Sequence, residues 1–124
     1  MRQKVLVVDD QRGIRSLLEI ILKQEGFNVA SCQKGSEVIQ SVQTEQPDLI
    51  IMDYRLPEMN GIKVTKELEQ LGYRIPIILM SGLVDEVKEK SAPYITVKDY
   101  FNKPFDINDA KAKIKKALQT SPLL

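Results

Sequence analysis

The stretch KVLVVDD at residues 4–10 joins a short apolar run to two adjacent carboxylates, and related patterns recur along the chain. The run LIIM is followed by Asp53, and the run IPIILM is followed by Ser81. A shorter run, DYF, is soon followed by Lys103 and Pro104. Short runs rich in β-branched residues are typical of buried parallel strands. Each of these polar side chains is therefore predicted to stand at the carboxyl end of a strand.

The apolar runs alternate with amphipathic segments, and this alternation predicts repeated βα units in an α/β fold. A helix on a sheet repeats its apolar residues at i, i+3, i+4 and i+7. The predicted strands are Lys4–Val8, Asn28–Cys32, Leu49–Met52, Ile75–Met80 and a fifth near Asp99–Phe101. The helix residues expected to face inward are Ile14, Leu17, Leu18, Ile21 and Leu22, then Val38, Ile39 and Val42, then Val64, Leu68 and Leu71, and finally Ile107, Ala110, Ile114, Ala117 and Leu118.

Helix ends are predicted from capping and breaking residues. Gly26 is expected to end the first helix, and Ser36 to cap the second. Asn60 and Asp106 are expected to begin the third and the last helix. Pro93 lacks a backbone donor, so the fourth helix is expected to be short and to end near Ser91.

The amino-acid composition excludes several classes of site and of function. At 124 residues the chain is expected to form one domain, and its net charge of +1 gives no reason to expect nucleic acid as a partner. No histidine is present, which excludes a Ser-His-Asp triad, a histidine metal site and a phosphohistidine within this chain. The single cysteine, Cys32, excludes an intrachain disulfide and is expected to be an ordinary strand residue. No apolar run has membrane-spanning length, so we expect a cytoplasmic protein without a membrane partner.

The carboxyl ends of parallel strands lie along one edge of the sheet, where ligands bind. Asp9, Asp10, Asp53, Ser81 and Lys103 are therefore predicted to form one site. Three carboxylates at one edge repel each other, and a bound Mg²⁺ would remove that penalty, with Mn²⁺ or Ca²⁺ as substitutes. Taken singly, Asp10 also suits a helix cap, Ser81 a turn and Lys103 an exposed loop.

Together these groups suit in-line phosphoryl transfer, which needs positioned charge rather than proton chemistry. Asp53 is the expected nucleophile because it is central and separate from the acidic pair, and its product would be an acyl phosphate. The ammonium of Lys103 and the hydroxyl of Ser81 would contact phosphoryl oxygens. Whether such self-phosphorylation makes the protein an enzyme is left open.

Four segments carry a family resemblance: VLVVDD, PDLIIMDYRLPEMNG, IPIILMSG and NKPFD. In this order they make the chain resemble bacterial response-regulator receiver domains over nearly its whole length. The resemblance implies a receiver domain at 1–120, a frayed tail at 121–124, and a flavodoxin-like (βα)5 three-layer sandwich with strand order 2-1-3-4-5. It makes Asp53 the phosphoacceptor, adds the backbone carbonyl of Arg55 to the metal ligands Asp9, Asp10 and Asp53, and makes Ser81 and Tyr100 a conformational switch.

The segments DDQRGIRSLL and KPFDI narrow the resemblance to single-domain receivers of the sporulation phosphorelay. This implies a sensor histidine kinase as donor, a histidine phosphotransferase as acceptor, and an aspartyl-phosphate phosphatase as a further partner. Arg12 and Leu83 depart from that pattern, where aromatics are expected, and Tyr100 stands in place of a histidine. The implied docking residues are Gln11, Gly13, Ile14, Arg15, Leu18, Leu83, Pro104 and Phe105.

In receivers the positions of Arg55 and Leu83 flank the path of the attacking water. Neither side chain offers an amide or carboxylate to orient water, so slow self-dephosphorylation is predicted. Three other functions remain open: a chemotaxis-type receiver or one from a DNA-binding protein, a flavodoxin-like FMN electron carrier, and a small phosphohydrolase with an aspartyl nucleophile. The acidic loop after the first strand would repel the phosphate of FMN, and a phosphohydrolase would usually space its two aspartates one residue apart.

Overall fold

A computed structural model describes residues 2–119 of the chain, and within them strands and helices alternate from start to end. The strands are β1 (Lys4–Val8), β2 (Asn28–Cys32), β3 (Leu49–Asp53), β4 (Ile77–Ser81) and β5 (Val97–Asn102). The helices are α1 (Arg12–Gln24), α2 (Val38–Glu45), α3 (Gly61–Gln70), α4 (Val84–Ser91) and α5 (Ile107–Gln119), with a 3₁₀ turn at Gly35–Glu37 before α2. The predicted tail at 121–124 lies outside the described residues.

The strands form one parallel sheet in the order β2-β1-β3-β4-β5. Val5 of the inner strand β1 stands opposite Val29 on one side and Leu49 on the other. The parallel sheet and its strand order confirm the predicted flavodoxin-like arrangement. The strand order changes direction beside β1 and β3, and this is the place where open α/β sheets bind ligands.

Two apolar cores lie on opposite faces of the sheet and produce the predicted three layers. Leu6 and Met52 face a core that α2, α3 and α4 cover, through residues such as Val64. Val7 and Ile51 face the other core, under α1 and α5. β1, β3 and β4 are apolar on both faces because both faces are covered by helices.

Most predicted helix boundaries are confirmed. Gly26 follows α1 with a left-handed φ of 89°, a conformation that glycine adopts without steric cost. The Asn60 side chain accepts a hydrogen bond from Lys63 N at 2.9 Å, and Asp106 accepts one from Asp109 N at 2.9 Å. The fourth helix ends at Ser91, two residues before Pro93, as predicted.

The prediction for the start of the second helix was wrong. Ser36 lies inside the 3₁₀ turn rather than at a cap. The carboxylate of Glu37 instead accepts hydrogen bonds from the backbone N–H groups of Gln33 and Lys34, at 3.1 and 3.0 Å. The glutamate side chain therefore reaches back to the N–H groups before the 3₁₀ turn, as the glutamate of a capping box does.

Three residues that were expected to face inward are exposed to solvent, at 38% for Leu17, 59% for Leu71 and 44% for Ile107. All three lie at the margins of their apolar stripes, so part of each side chain remains in contact with solvent.

Strand β4 starts later than predicted. It begins at Ile77 rather than Ile75, and Ile77 N donates to Thr96 O at 2.8 Å. Pro76 has no N–H with which to extend the ladder, although its carbonyl accepts from Ile50 N.

Cys32 is a buried strand residue, as predicted, and burial raises the pKa of its thiol to about 11. Across residues 2–119, none of the helices has the length and apolar character needed to cross a lipid bilayer.

Candidate functional site

The polar residues that follow the strands gather at one edge of the sheet. Asp9 and Asp10 follow β1, Asp53 and Ser81 are the last residues of β3 and β4, and Lys103 follows β5. All of them except the fully buried Asp9 line a cleft of about 460 Å³, here called the acidic cleft. Its lining residues are Asp10, Gln11, Asp53, Arg55, Ser81, Gly82, Leu83 and Lys103.

The three predicted carboxylates converge. One ligand oxygen from each of Asp9, Asp10 and Asp53 lies within 4.8 Å of the others. Asp9 and Asp53 are buried, whereas Asp10 is exposed at the rim. Carboxylate oxygens at this spacing suit a single hard divalent cation such as Mg²⁺, so the residues present fit the predicted metal.

Lys103 links two of these carboxylates. Its Nζ lies 2.7 Å from Asp9 Oδ2 and 3.1 Å from Asp53 Oδ2. Burial disfavours the ammonium, but the hydrogen bonds and charges of the two aspartates outweigh burial and raise the pKa of Lys103. Lys103 is therefore a fixed positive charge inside the acidic cleft.

The surroundings of Asp53 disfavour its charged form, whereas those of Lys103 favour its charged form. Burial and the nearby charge of Asp9 raise the pKa of the Asp53 carboxyl, although Lys103 and the Arg55 backbone N–H act to lower it. One lysine thus compensates the acidic residues incompletely, and additional positive charge would favour the ionised form of Asp53.

Ser81 and Arg55 also line the acidic cleft, Ser81 at the end of β4 and Arg55 two residues beyond β3. The Ser81 hydroxyl accepts a hydrogen bond from Leu83 N at 2.9 Å, and the Ser81 carbonyl accepts one from Lys103 N at 2.9 Å. The first bond is typical of a turn, as the alternative interpretation of Ser81 anticipated. Arg55 lines the opening, where its side chain is exposed.

Tyr100 lies apart from the acidic cleft, on β5 under α4. Its hydroxyl makes a short hydrogen bond with the buried Ser91 hydroxyl of α4. Lys88 Nζ lies 5.6 Å from the centre of its ring. The tyrosine is half-buried and packs against the core beneath α4.

The predicted docking residues differ in accessibility. Gln11, Gly13, Leu83 and Pro104 are exposed, and Ile14, Arg15 and Phe105 are half-buried. Leu18 is fully buried in the core between α1 and the sheet, so the prediction that it contacts a partner was wrong. Its place on the apolar stripe makes it a packing residue, the other interpretation of that stripe.

Several contacts of the site were not predicted. Gln11 N donates to Asp9 Oδ1 at 2.8 Å, and Lys103 Nζ reaches Gln11 Oε1 at 3.5 Å. Arg15 donates to the Asp9 carbonyl at 2.8 Å. The contact between Gln11 N and Asp9 is an Asx turn, in which an aspartate side chain accepts a hydrogen bond from the backbone N–H two residues later. An aspartate at the end of a strand is a sequence signal for such a turn. The hydrogen bond between Ser91 and Tyr100 joins α4 to β5, and the local sequence gives no basis for predicting it.

The fold and this arrangement of acidic and basic groups agree with the comparison to known families. Response regulator receiver domains match residues 5–115. The chain therefore belongs to the response regulator receiver domain family and is a module of two-component signalling. Members of this family bind Mg²⁺ at an acidic pocket.

Two curated relatives from Bacillus subtilis (strain 168) are each 34% identical to the chain. Sporulation initiation phosphotransferase F aligns over 95% of both proteins. The alkaline phosphatase synthesis transcriptional regulatory protein PhoP aligns with 99% of this chain, which spans about half (51%) of PhoP. Among solved structures, the chemotaxis response regulator CheY4 of Vibrio cholerae superposes with a TM-score of 0.85 at 25% identity, over 95% of this chain and all (100%) of CheY4.

Proposed function

We propose that the chain is a phosphoacceptor receiver in which Asp53 takes a phosphoryl group from a phosphohistidine of a sensor histidine kinase. One observation carries this proposal: Lys103 Nζ lies 3.1 Å from Asp53 Oδ2, beside two further aspartates. A nucleophilic carboxylate and a fixed ammonium thus share one cleft, and transfer to a carboxylate needs little more than positioned charge.

In the proposed step, an Asp53 carboxylate oxygen attacks the phosphorus and forms a new P–O bond. The P–N bond to the donor imidazole breaks, and its electron pair stays on that ring nitrogen. Lys103 leaves its contact with Asp53 to meet phosphoryl oxygen charge, while its contact with Asp9 keeps it in the cleft. Ser81 gives up its bond from Leu83 N and donates its hydroxyl to another phosphoryl oxygen.

Asp9, Asp10, Asp53 and the Arg55 carbonyl would hold the divalent cation. When bound, the ion would supply positive charge against the phosphoryl oxygens. The raised pKa of Asp53 gives a local reason for this requirement, since burial and Asp9 disfavour the charged nucleophile. A movement of Ser81 toward the phosphoryl group would be transmitted to α4 by Tyr100, which is hydrogen-bonded to Ser91.

We further propose that the phosphoryl group passes to a histidine phosphotransferase in a relay of the sporulation type. Full-length alignment with sporulation initiation phosphotransferase F supports this assignment. Of the exposed docking residues, Gln11 and Leu83 line the acidic cleft, and Gly13 and Pro104 follow close behind Gln11 and Lys103 in the sequence. We propose that these residues receive the partner. The likeness to CheY4 supports a second candidate, a chemotaxis-type receiver that signals by protein binding alone.

The first test is incubation with acetyl phosphate and MgCl₂, followed by intact-mass spectrometry. We expect one added phosphoryl group, which is lost with Asp53→Asn and absent when EDTA replaces MgCl₂. Asp48→Asn is the matched control, because Asp48 precedes the same strand at the opposite edge of the sheet. Full labelling of the Asp53→Asn protein would overturn the assignment of Asp53.

The second test separates the two candidate outputs. Phosphorylated protein is mixed with a purified histidine phosphotransferase, and the label on each protein is followed with time. Rapid loss from Asp53 with equal gain on the phosphotransferase histidine supports the relay. Label that stays on the receiver with every phosphotransferase of the source organism would favour the chemotaxis-type output.

A further inference from the structure

A second concave surface lies between α3 and α4, away from the acidic cleft. It has a volume of about 670 Å³ and shares no lining residue with the acidic cleft. We call it the α3–α4 groove and define it by Tyr54, Ile62, Lys63, Lys66, Lys90 and Tyr94. Nothing in the proposed phosphoryl transfer uses this surface.

The floor of the groove is apolar. Tyr54 and Ile62 are half-buried and pack against the core beneath α2, α3 and α4. Tyr94, also half-buried, lines the groove beyond the end of α4. Half-buried aromatic and aliphatic groups in a concave surface provide a seat for an apolar side chain from a partner.

The groove carries excess positive charge. Lys63 and Lys66 are exposed and lie three positions apart, so they share one side of α3. Neither lysine makes an ion pair with any residue between 2 and 119. Lys90 is already engaged, with Nζ 2.9 Å from Glu86 Oε1 and 3.4 Å from Tyr54 Oη. Glu67 is the one acidic lining residue, so positive charge remains in excess.

We propose that the α3–α4 groove docks an acidic peptide segment of a partner protein. An aliphatic or aromatic side chain of the peptide packs on Tyr54 and Ile62, and its carboxylates pair with Lys63 and Lys66. Charge complementarity selects this occupant and fixes its orientation. This docking goes beyond the proposed phosphoryl transfer. It uses none of the residues that line the acidic cleft and requires no phosphoryl group on Asp53.

The observations favour a peptide over nucleic acid. Glu67 lines the groove and Glu86 stands beside Lys90, so a chain with phosphate at every step would meet carboxylates as well as lysines. The net charge of the whole chain is only +1, whereas nucleic-acid-binding domains carry a strong basic excess. A peptide can place its acidic residues opposite the lysines and uncharged ones elsewhere.

The test uses a defined probe, an acetylated peptide with a central Leu-Phe pair flanked by Asp and Glu. It is titrated into isotope-labelled, unphosphorylated protein and followed by ¹H–¹⁵N chemical shifts. We expect the shifts to cluster at the groove residues, and the combined Lys63→Glu and Lys66→Glu variant to weaken binding about tenfold. The control carries Lys98→Glu and Lys116→Glu, which change net charge equally on exposed positions of β5 and α5. It should bind within about twofold of the original protein.

Two altered probes complete the experiment. A peptide with Lys at the acidic positions should not bind, and one with Ser-Ser in place of Leu-Phe should bind about tenfold more weakly because it loses the apolar anchor. Equal weakening in the two double variants, or shifts centred away from the groove, would overturn the proposal. So would an oligouridylate that shifts the groove residues when the acidic peptide does not.

Discussion

At the scale of single residues, Lys103 is the cation that contacts both buried carboxylates of the site, Asp9 and Asp53. Asp9 is fully buried, and Lys103 Nζ lies only 2.7 Å from it. Removing one partner of a buried ion pair costs about 3–5 kcal/mol, and the partial exposure of Lys103 reduces this figure. We therefore predict that Lys103→Met lowers the free energy of unfolding by about 2–3 kcal/mol in EDTA. Urea unfolding followed by circular dichroism measures it.

The same experiment in MgCl₂ tests the metal assignment. A cation held by Asp9, Asp10 and Asp53 stabilises the folded state and should reduce the deficit of Lys103→Met. Lys116→Met is the control, because Lys116 is exposed on α5 and makes no ion pair within residues 2–119. A Lys103→Met protein as stable in EDTA as this control would contradict the role given to Lys103.

A second residue-scale prediction concerns the bond between Tyr100 and Ser91. Both Tyr100→Phe and Ser91→Ala remove it, and each should lower the free energy of unfolding by about 1 kcal/mol. Because both changes delete the same contact, the double variant should lose less than the sum of the two. A urea double-mutant cycle measures this coupling. Tyr73→Phe is the control, since no hydrogen bond of the Tyr73 hydroxyl is present within residues 2–119, and additive losses would show that the bond contributes nothing.

At the scale of elements, the strands were easier to predict than the helix surfaces. Three of the strands are covered by helices on both faces, so their apolar runs are unbroken and their ends are sharply marked by Asp9, Asp53 and Ser81. A helix has only one covered side, and spacing alone does not fix how far that side extends. For this reason Leu17 and Ile107 satisfied the pattern but remain in solvent.

The convergence of the site could be predicted from topology alone, because parallel strands bring their carboxyl ends together. The finer contacts could not. The Arg15 bond to the Asp9 carbonyl and the Ser91 bond to Tyr100 depend on how helices lie over the sheet. The cap at Glu37 was missed because its side chain reaches back to Gln33 and Lys34, so its position differs from that of an ordinary helix cap.

Gly35 gives an element-scale prediction that the sequence did not reveal. A Cβ at Gly35 would lie 2.5 Å from Met59 O and 3.0 Å from Val64 Cγ2, so the turn before α2 packs closely against the start of α3. Gly35→Ala must displace backbone, and we predict a loss of about 2 kcal/mol in the free energy of unfolding. Thermal or urea unfolding measures the effect.

Gly13→Ala is the matched control for Gly35→Ala. A Cβ at Gly13 would have no neighbour within 4 Å, and alanine favours a helix more than glycine does. The Gly13→Ala protein should therefore be as stable as the original or slightly more so. Equal stability of both alanine variants would show that the contact between the two elements is loose.

At the scale of the whole molecule, the two concave surfaces have different positions and chemistry. The acidic cleft is built from loops at the carboxyl ends of the strands, whereas the α3–α4 groove lies between two helices on one face. Asp53 and Tyr54 are consecutive, so the end of β3 contributes to both surfaces. A partner on the groove and a phosphoryl group on Asp53 would therefore act on adjoining backbone.

We expect the loops around the acidic cleft to determine how long a phosphoryl group on Asp53 would last. Arg55 and Leu83 line the opening from different loops, and Leu83 is 54% exposed. A guanidinium and an isobutyl group offer no amide or carboxylate oxygen to orient an attacking water. We predict slow hydrolysis in the original protein and an increase of about tenfold with Leu83→Asn, because the added amide positions the water.

Hydrolysis is measured after phosphorylation with acetyl phosphate, desalting into MgCl₂ and intact-mass spectrometry at intervals. Leu83→Met is the control, since it keeps an apolar side chain of similar size at the same position. It should leave the rate unchanged, which would separate the loss of leucine from the gain of the amide. Equal rates for Leu83→Asn and Leu83→Met would mean that a side chain at this position does not orient the attacking water, and the persistence of the label would then have to depend on other residues of the acidic cleft, such as Arg55 and Lys103.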